Sequence, residues 1–206
     1  AMLLINMIFI GASPVRAHPH VFIDATAAFQ FNPAGELNAV EITWIYDAFT
    51  SLTLMAMLDL DSDNDQILTD ADRARIVEAQ TIWRDDFAGD TYLETGGQSV
   101  PLGRPLNGAS DLRDGRIAVS FELPLLEPLA VTAPVELRLY DPTYYYSYAT
   151  TVAGAANGCT VTLEPFEPSA ATSGLQAKLM QLSREETPAQ ENVGRLFADV
   201  LRLTCD

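Results

Sequence analysis

The sequence predicts an α+β protein: a β-rich domain, either a sandwich or an open antiparallel sheet, with an EF-hand-like helix-loop-helix insertion and C-terminal helices. Three observations predict it. Apolar residues alternate with period two over two long stretches near the start, as in strands with one buried face. The period then becomes helical on both sides of an acidic loop. Short alternating runs separated by glycine and proline follow, the usual spacing of an all-β or β-rich domain.

Residues 2–13, MLLINMIFIGAS, are apolar and uncharged, and too few to span a bilayer as a helix. Val15-Arg16-Ala17 then places small residues where a signal peptidase reads. Residues 1–17 therefore read as a signal peptide and residues 18–163 as the β-rich domain. The alternative is a buried N-terminal strand or an uncleaved anchor. Val21 to Phe31 alternates, with Val21, Ile23, Ala25, Ala27, Phe29 and Phe31 on one face. Asn32-Pro33-Ala34-Gly35 is a turn, and Leu37 to Tyr46 alternates again, so the two runs predict an antiparallel hairpin.

An insert over residues 47–87 follows. Ala48 to Leu58 suits a short helix, Asp59 to Asp72 an acidic loop, and Thr69 to Phe87 a second helix capped by Thr69, with Ile76, Val77, Ile82 and Trp83 toward the core. Strands are expected at Tyr92–Glu94, Ser99–Leu102, Arg116–Leu123, Val135–Tyr140, Tyr144–Val152 and Cys159–Leu163. Residues 164–206 read as a linker and a helical segment, with helices over Leu175–Ser183 and Glu191–Leu203.

Charge narrows the function classes. The 206-residue chain has 12 Lys plus Arg against 28 Asp plus Glu, a net charge of −16. Such a chain repels nucleic acid and anionic membrane surfaces and attracts cations. Cys159 and Cys205 are the only cysteines. In an oxidising compartment they would pair and tie the C-terminal segment to the body; the alternative is two buried thiols.

The acidic loop DLDSDNDQILTDAD, residues 59–72, resembles a twelve-residue calcium loop. Counted from Asp61, oxygen ligands at positions 1, 3, 5, 7, 9 and 12 fall on Asp61, Asp63, Asp65, the carbonyl of Ile67, Thr69 and Asp72. Carboxylates two apart around a tight turn converge, and a hard divalent cation relieves their repulsion. Gln66 stands where glycine favours the turn, and Asp72 is shorter than the usual closing glutamate. The alternative is an acidic loop that keeps only the helix-loop-helix shape.

The chain's only histidines, His18 and His20, flank Pro19. Cleavage after Ala17 would leave a free amine on His18. That amine, the two imidazoles and Asp24 on the same strand face would suit a divalent transition metal such as Zn²⁺, Ni²⁺ or Co²⁺. Pro19 lacks an amide N–H, which excludes square-planar coordination through backbone amides. The alternative is two polar residues at an exposed chain start. No phosphate loop, nucleophile elbow or catalytic triad is present, so no enzyme activity is expected. Tyr144, Tyr146 and Tyr148 alternate in LYDPTYYYSY and read either as one packed face or as a partner surface.

HPHVFIDA, WIYDAF, LDSDNDQILT, LYDPTYYYSY and GCTVTLEP with a final cysteine occur in this order. The set resembles a bacterial periplasmic family labelled as the periplasmic component of an uncharacterised ABC-type transport system, whose members are often encoded beside nickel/cobalt-type permeases. The resemblance implies a periplasmic location and a membrane permease or transport-system component as partner. Its members typically carry glycines in the acidic loop, where Asn64 and Gln66 stand here, and an acidic pair where this chain has Asp47-Ala48. The function expected is a non-catalytic periplasmic accessory protein of transition-metal transport. The alternative is a calcium-stabilised interaction module.

Overall fold

A computed structural model describes residues 19–61, 65, 67–154, 158–183 and 186–205. His18, Asp63 and Gln66 lie outside the described residues, as does the leader expected over residues 1–17. The described chain is a β-rich α+β fold of two five-stranded sheets that share one apolar core.

The first two strands follow the alternation. In β1 (Val21–Phe31) the side chains of Val21, Ile23, Ala25, Ala27 and Phe29 are buried, while Phe22 and Asp24 point outward. It pairs antiparallel with β2 (Leu37–Tyr46) from Ile23↔Tyr46 to Phe31↔Leu37. The Asn32 carboxamide closes the turn, accepting from the N–H groups of Ala34 and Glu36.

The change of period gives α1 (Ala48–Met57) and α2 (Asp70–Thr81). Asp47 caps α1, and Thr69 with Asp72 forms a capping box on α2. The second helix stops at Thr81, short of the expected Phe87. Ile82 is 72% exposed rather than toward the core, whereas Trp83 turns inward and stacks near Trp44 and Phe121. Gly89, at φ +66°, ends this connection, and a Cβ there would overlap the Trp83 ring.

The remaining strands are β3 (Thr91–Thr95), β4 (Gln98–Val100), β5 (Leu106–Arg113), β6 (Arg116–Leu129), β7 (Val135–Leu139), β8 (Tyr146–Val152), β9 (Cys159–Glu164) and β10 (Val200–Cys205). The first sheet has the order β5-β6-β2-β1-β8 and the second β4-β3-β7-β10-β9. Leu93, Val135, Leu137, Leu139, Leu201 and Leu203 of the second sheet face Ile23, Ile42, Ile117, Val119, Phe121 and Leu123 of the first in one core. Within the sheets every strand pairing is antiparallel except β1 with β8, which run parallel from Val21↔Tyr146 to Ala27↔Val152.

Two segments take a different type of structure from the expectation, and the last α-helix begins earlier, at Ala170 rather than Leu175. Residues 106–113 are a strand although they show no apolar alternation; β6 pairs with them and α2 covers them, with Gly108 admitting Val77. The helix expected over Glu191–Leu203 does not form. Val193–Phe197 is one 3-10 stretch, and Val200–Cys205 is β10, inserted antiparallel between β7 and β9. Leu201 and Leu203 are fully buried with Arg202 between them pointing out, so a strand slot in the core overrode the helical spacing of Val193, Phe197 and Leu201. The C-terminal residues thus belong to the sandwich, and the helical part of the tail is α3 (Ala170–Leu179).

Cys159 and Cys205 form a disulfide and face each other directly across β9 and β10. The bridge closes a loop of sequence separation 46. Chain-entropy arguments put its contribution at about 4 kcal/mol. Reduction is therefore expected to lower the thermal midpoint by roughly 10 °C, measured by calorimetry with and without a reductant, with the Cys159→Ser, Cys205→Ser double variant behaving as the reduced protein.

Candidate functional site

The two sequence oddities, the histidine tract and the tyrosine run, meet in space. The parallel pairing of β1 with β8 brings them together: the N–H groups of His20 and Val21 both donate to the carbonyl of Tyr145, at 2.8 and 3.2 Å. The His20 ring lies 4.8 Å from the Tyr145 ring, centroid to centroid. Both side chains are half-buried.

One carboxylate shapes the tyrosine side of the site. Asp141 accepts from the N–H and hydroxyl of Thr143 and from the N–H groups of Tyr145 and Tyr146. It winds Asp141-Pro142-Thr143-Tyr144 into a turn, with Tyr144 at φ +59°, and so presents the Tyr145 carbonyl to His20 and Val21. Gly194 presses against the Asp141 carbonyl from the other side, where a Cβ would collide with it.

A second carboxylate fixes the strand that follows His20. Asp47 accepts from the N–H of Phe22 at 3.0 Å and from the N–H and hydroxyl of Thr50 at 2.9 and 2.7 Å. Its own N–H donates to the Phe22 carbonyl. Burial pushes the Asp47 carboxyl up, but hydrogen bonds from Phe22, Thr50 and Phe49 outweigh this and hold it below the usual carboxylate range. Asp47 thus caps α1 and pins β1 with the same two oxygens.

Of the residues expected to bind a transition metal, Asp24 points outward from β1, His20 precedes that strand with its Nε2 atom shielded from solvent, and His18 lies outside the described residues. Asp24 is engaged: the Arg116 guanidinium donates to it at 2.7 Å while also holding the carbonyls of Tyr46 and Ile45. A cation drawing on Asp24 would have to displace Arg116. Among the described residues no three His, Cys, Asp or Glu side chains cluster as a ready metal site.

In the acidic loop, Asp61 and Asp72 are buried. Asp61 accepts from the Asp65 N–H and Asp65 from the Ile67 N–H, so the loop curls on its own carboxylates. The Thr69 hydroxyl and N–H, and then Arg75, hold the Asp72 carboxyl below its ordinary value. Arg75 also donates to the Asp59 carbonyl, which places a guanidinium between the loop's start and end.

Tyr146 and Tyr148 share the inward, packed face of β8, and Tyr144 does not join them. Tyr144 sits in the turn before β8 and stacks on Phe197 at 4.4 Å. Tyr148 points into the core and donates to Asp90 at 2.6 Å. Strand alternation starts only at Tyr146, so Tyr144 does not share its phase. The tyrosine that meets the histidine tract is Tyr145, which the period-two reading did not single out.

The profile of a family described as proteins of unknown function, DUF1007, matches residues 3–205. The chain belongs to that family. No curated protein matches it. The match spans both sheets and the helix-loop-helix insert, so the histidine tract, Asp47, the acidic loop and the tyrosine run all lie within the DUF1007 match.

Asp47→Ala is expected to destabilise this DUF1007 chain by about 1–2 kcal/mol through loss of the α1 cap alone. The sign with pH follows from its lowered value. The contribution is present above the ordinary value of 3.8 and is lost as pH falls through the lowered folded value. Acid-unfolding curves of the two proteins are expected to stay apart above pH 4 and to converge as pH falls through the lowered Asp47 value.

Proposed function

We propose that this DUF1007 protein is a non-catalytic periplasmic accessory protein of transition-metal transport, working with a membrane permease or another transport-system component. The observation that carries the reading is the double hydrogen bond from the His20 and Val21 N–H groups to the Tyr145 carbonyl, which seats His20 at the start of β1 beside the edge strand β8. A tract so anchored would hold its nitrogen donors at one place instead of on a loose tail.

The donor set would be the α-amine and imidazole of His18 with the imidazole of His20. Nitrogen donors of this kind suit Zn²⁺, Ni²⁺ or Co²⁺ better than Ca²⁺ or Mg²⁺. Asp24 would join only where Arg116 lets it go. The cross-strand disulfide fits an oxidising compartment outside the cytoplasm, which supports the export reading.

The permease side of the proposal rests on α1. Its sequence AFTSLTLMAM has no ionisable residue, in a chain of net charge −16. Phe49, Leu52 and Met57 on its outer stripe are 78%, 64% and 75% exposed, and Phe22 of β1 is exposed beside its cap. An uncharged apolar stripe next to the metal-binding edge would suit docking on a membrane protein.

The test is metal titration of the exported, processed protein by calorimetry, with mass spectrometry of its N-terminus. A chain beginning at His18 should bind one Zn²⁺, Ni²⁺ or Co²⁺, and the His18→Ala, His20→Ala double variant should lose at least tenfold in affinity while melting at the same temperature without metal. Equal affinity in the variant, or a processed chain starting beyond His20, would contradict the proposal. A calcium-dependent melting temperature with no transition-metal binding would favour the interaction module instead.

A further inference from the structure

Asp90 is a buried carboxylate at the joint between the two sheets. It is 4% exposed and precedes β3 of the second sheet in a left-handed conformation, φ +48°. Its side chain accepts the hydroxyl of Tyr148, which belongs to β8 of the first sheet and is itself buried. Its carbonyl accepts the Tyr140 N–H, so both ends of Asp90 are held in place.

The surroundings offer this carboxylate no positive charge among the described residues. Tyr148 from β8 donates to it, and Asp141, in the turn before β8, opposes its ionisation. Its charge is in turn felt by Tyr46 of β2, Tyr92 of β3, and Tyr146 and Tyr148 of β8. Arg195, the cation that reaches this region, is bound bidentately to Glu94 at 2.6 and 2.7 Å. A neutral carboxylic acid fits such a place; an ionised one lacks compensation beyond a single hydroxyl.

We infer that Asp90 is a proton-operated latch: neutral, it lets β8 and β3 close over it, and ionised, it needs water that the Tyr148 hydroxyl alone does not replace, which loosens that joint and with it the seat of His20 on Tyr145. The path is short. Tyr148 pairs with Ile23 and Tyr146 with Val21 in the parallel ladder, and Tyr145 carries the carbonyl that accepts from His20 and Val21. Burial pushes the Asp90 carboxyl up to about 7, against a partial lowering by the Tyr148 hydroxyl, so the latch would work near neutral pH.

The sign follows from linkage. A carboxyl whose folded value lies above its ordinary 3.8 leaves stability unaffected below that value and lowers it progressively as pH rises toward about 7. The full chain should therefore melt at least about 5 °C lower at pH 8.5 than at pH 5 through this group, and Asp90→Asn, which keeps the neutral shape, should remove that difference. Amide exchange of residues 20–21 and 145–148, compared between the two proteins at one pH, should be several-fold faster in the native chain at pH 8.5 and equal at pH 5. The carboxyl carbon of Asp90 should titrate by NMR near neutrality, and higher still in Tyr148→Phe. A midpoint near 4, or an Asp90→Asn variant with the native pH dependence of melting and exchange, would overturn the latch. The metal-binding proposal is not needed for either result.

Discussion

The parallel ladder between β1 and β8 is the constraint on which the rest of this structure depends. β1 sits inside the first sheet, between β2 and β8, with one face wholly in the core. Parallel neighbours cannot be joined by a tight turn, and here most of the chain lies between them. The ladder joins residues 21–27 to residues 146–152, a contact of high sequence separation. Asp141 sets its start by gathering four donors, and Asp47 sets its other side by holding Phe22. Two carboxylates at turns thereby set where the start of β1 lies.

Much of the fold was legible because burial and chain periodicity agree over long runs. In Val21–Phe31 and Leu37–Tyr46 each inward position is apolar, and a one-residue slip would expose all of them. The capping box at Thr69 and Asp72 likewise marked where α2 begins. Illegible elements are those whose partners lie far away in sequence. Leu106–Arg113 is a strand because β6 and α2 border it, and its own side chains are mostly exposed. Val200–Cys205 carries Leu201 and Leu203 two apart, which signals a strand, but Val193 and Phe197 extend the apolar set into a helical spacing.

The site was legible in its parts and not in its assembly. His20 stood out by rarity and the tyrosines by repetition, yet nothing local says that His20 lies against Tyr145. The signal available was Asp141-Pro142, an aspartate able to cap the following turn and so fix one tyrosine's carbonyl. Asp90 gave no sequence signal at all: it follows a glycine in a polar connection, and only the approach of β8 buries it.

Electrostatics gives the two sheets different characters. On the second sheet, Glu94, Arg138, Glu136, Arg202 and Glu164 alternate in sign across β3, β7, β10 and β9, and Arg195 closes the row. That row neutralises itself. The first sheet instead carries the cross-strand Asp24–Arg116 pair beside an uncharged helix and His20, with Arg73 of α2 on Asp111 at the far edge strand β5.

The most direct test of this account is a nuclear Overhauser measurement on protein labelled at histidine and tyrosine, with and without Zn²⁺. The account predicts a cross-peak between the His20 and Tyr145 rings, whose centroids lie 4.8 Å apart, and a shift of both rings on adding zinc. A missing cross-peak would contradict the placement of His20 against Tyr145, and rings indifferent to zinc would contradict the proposed metal binding.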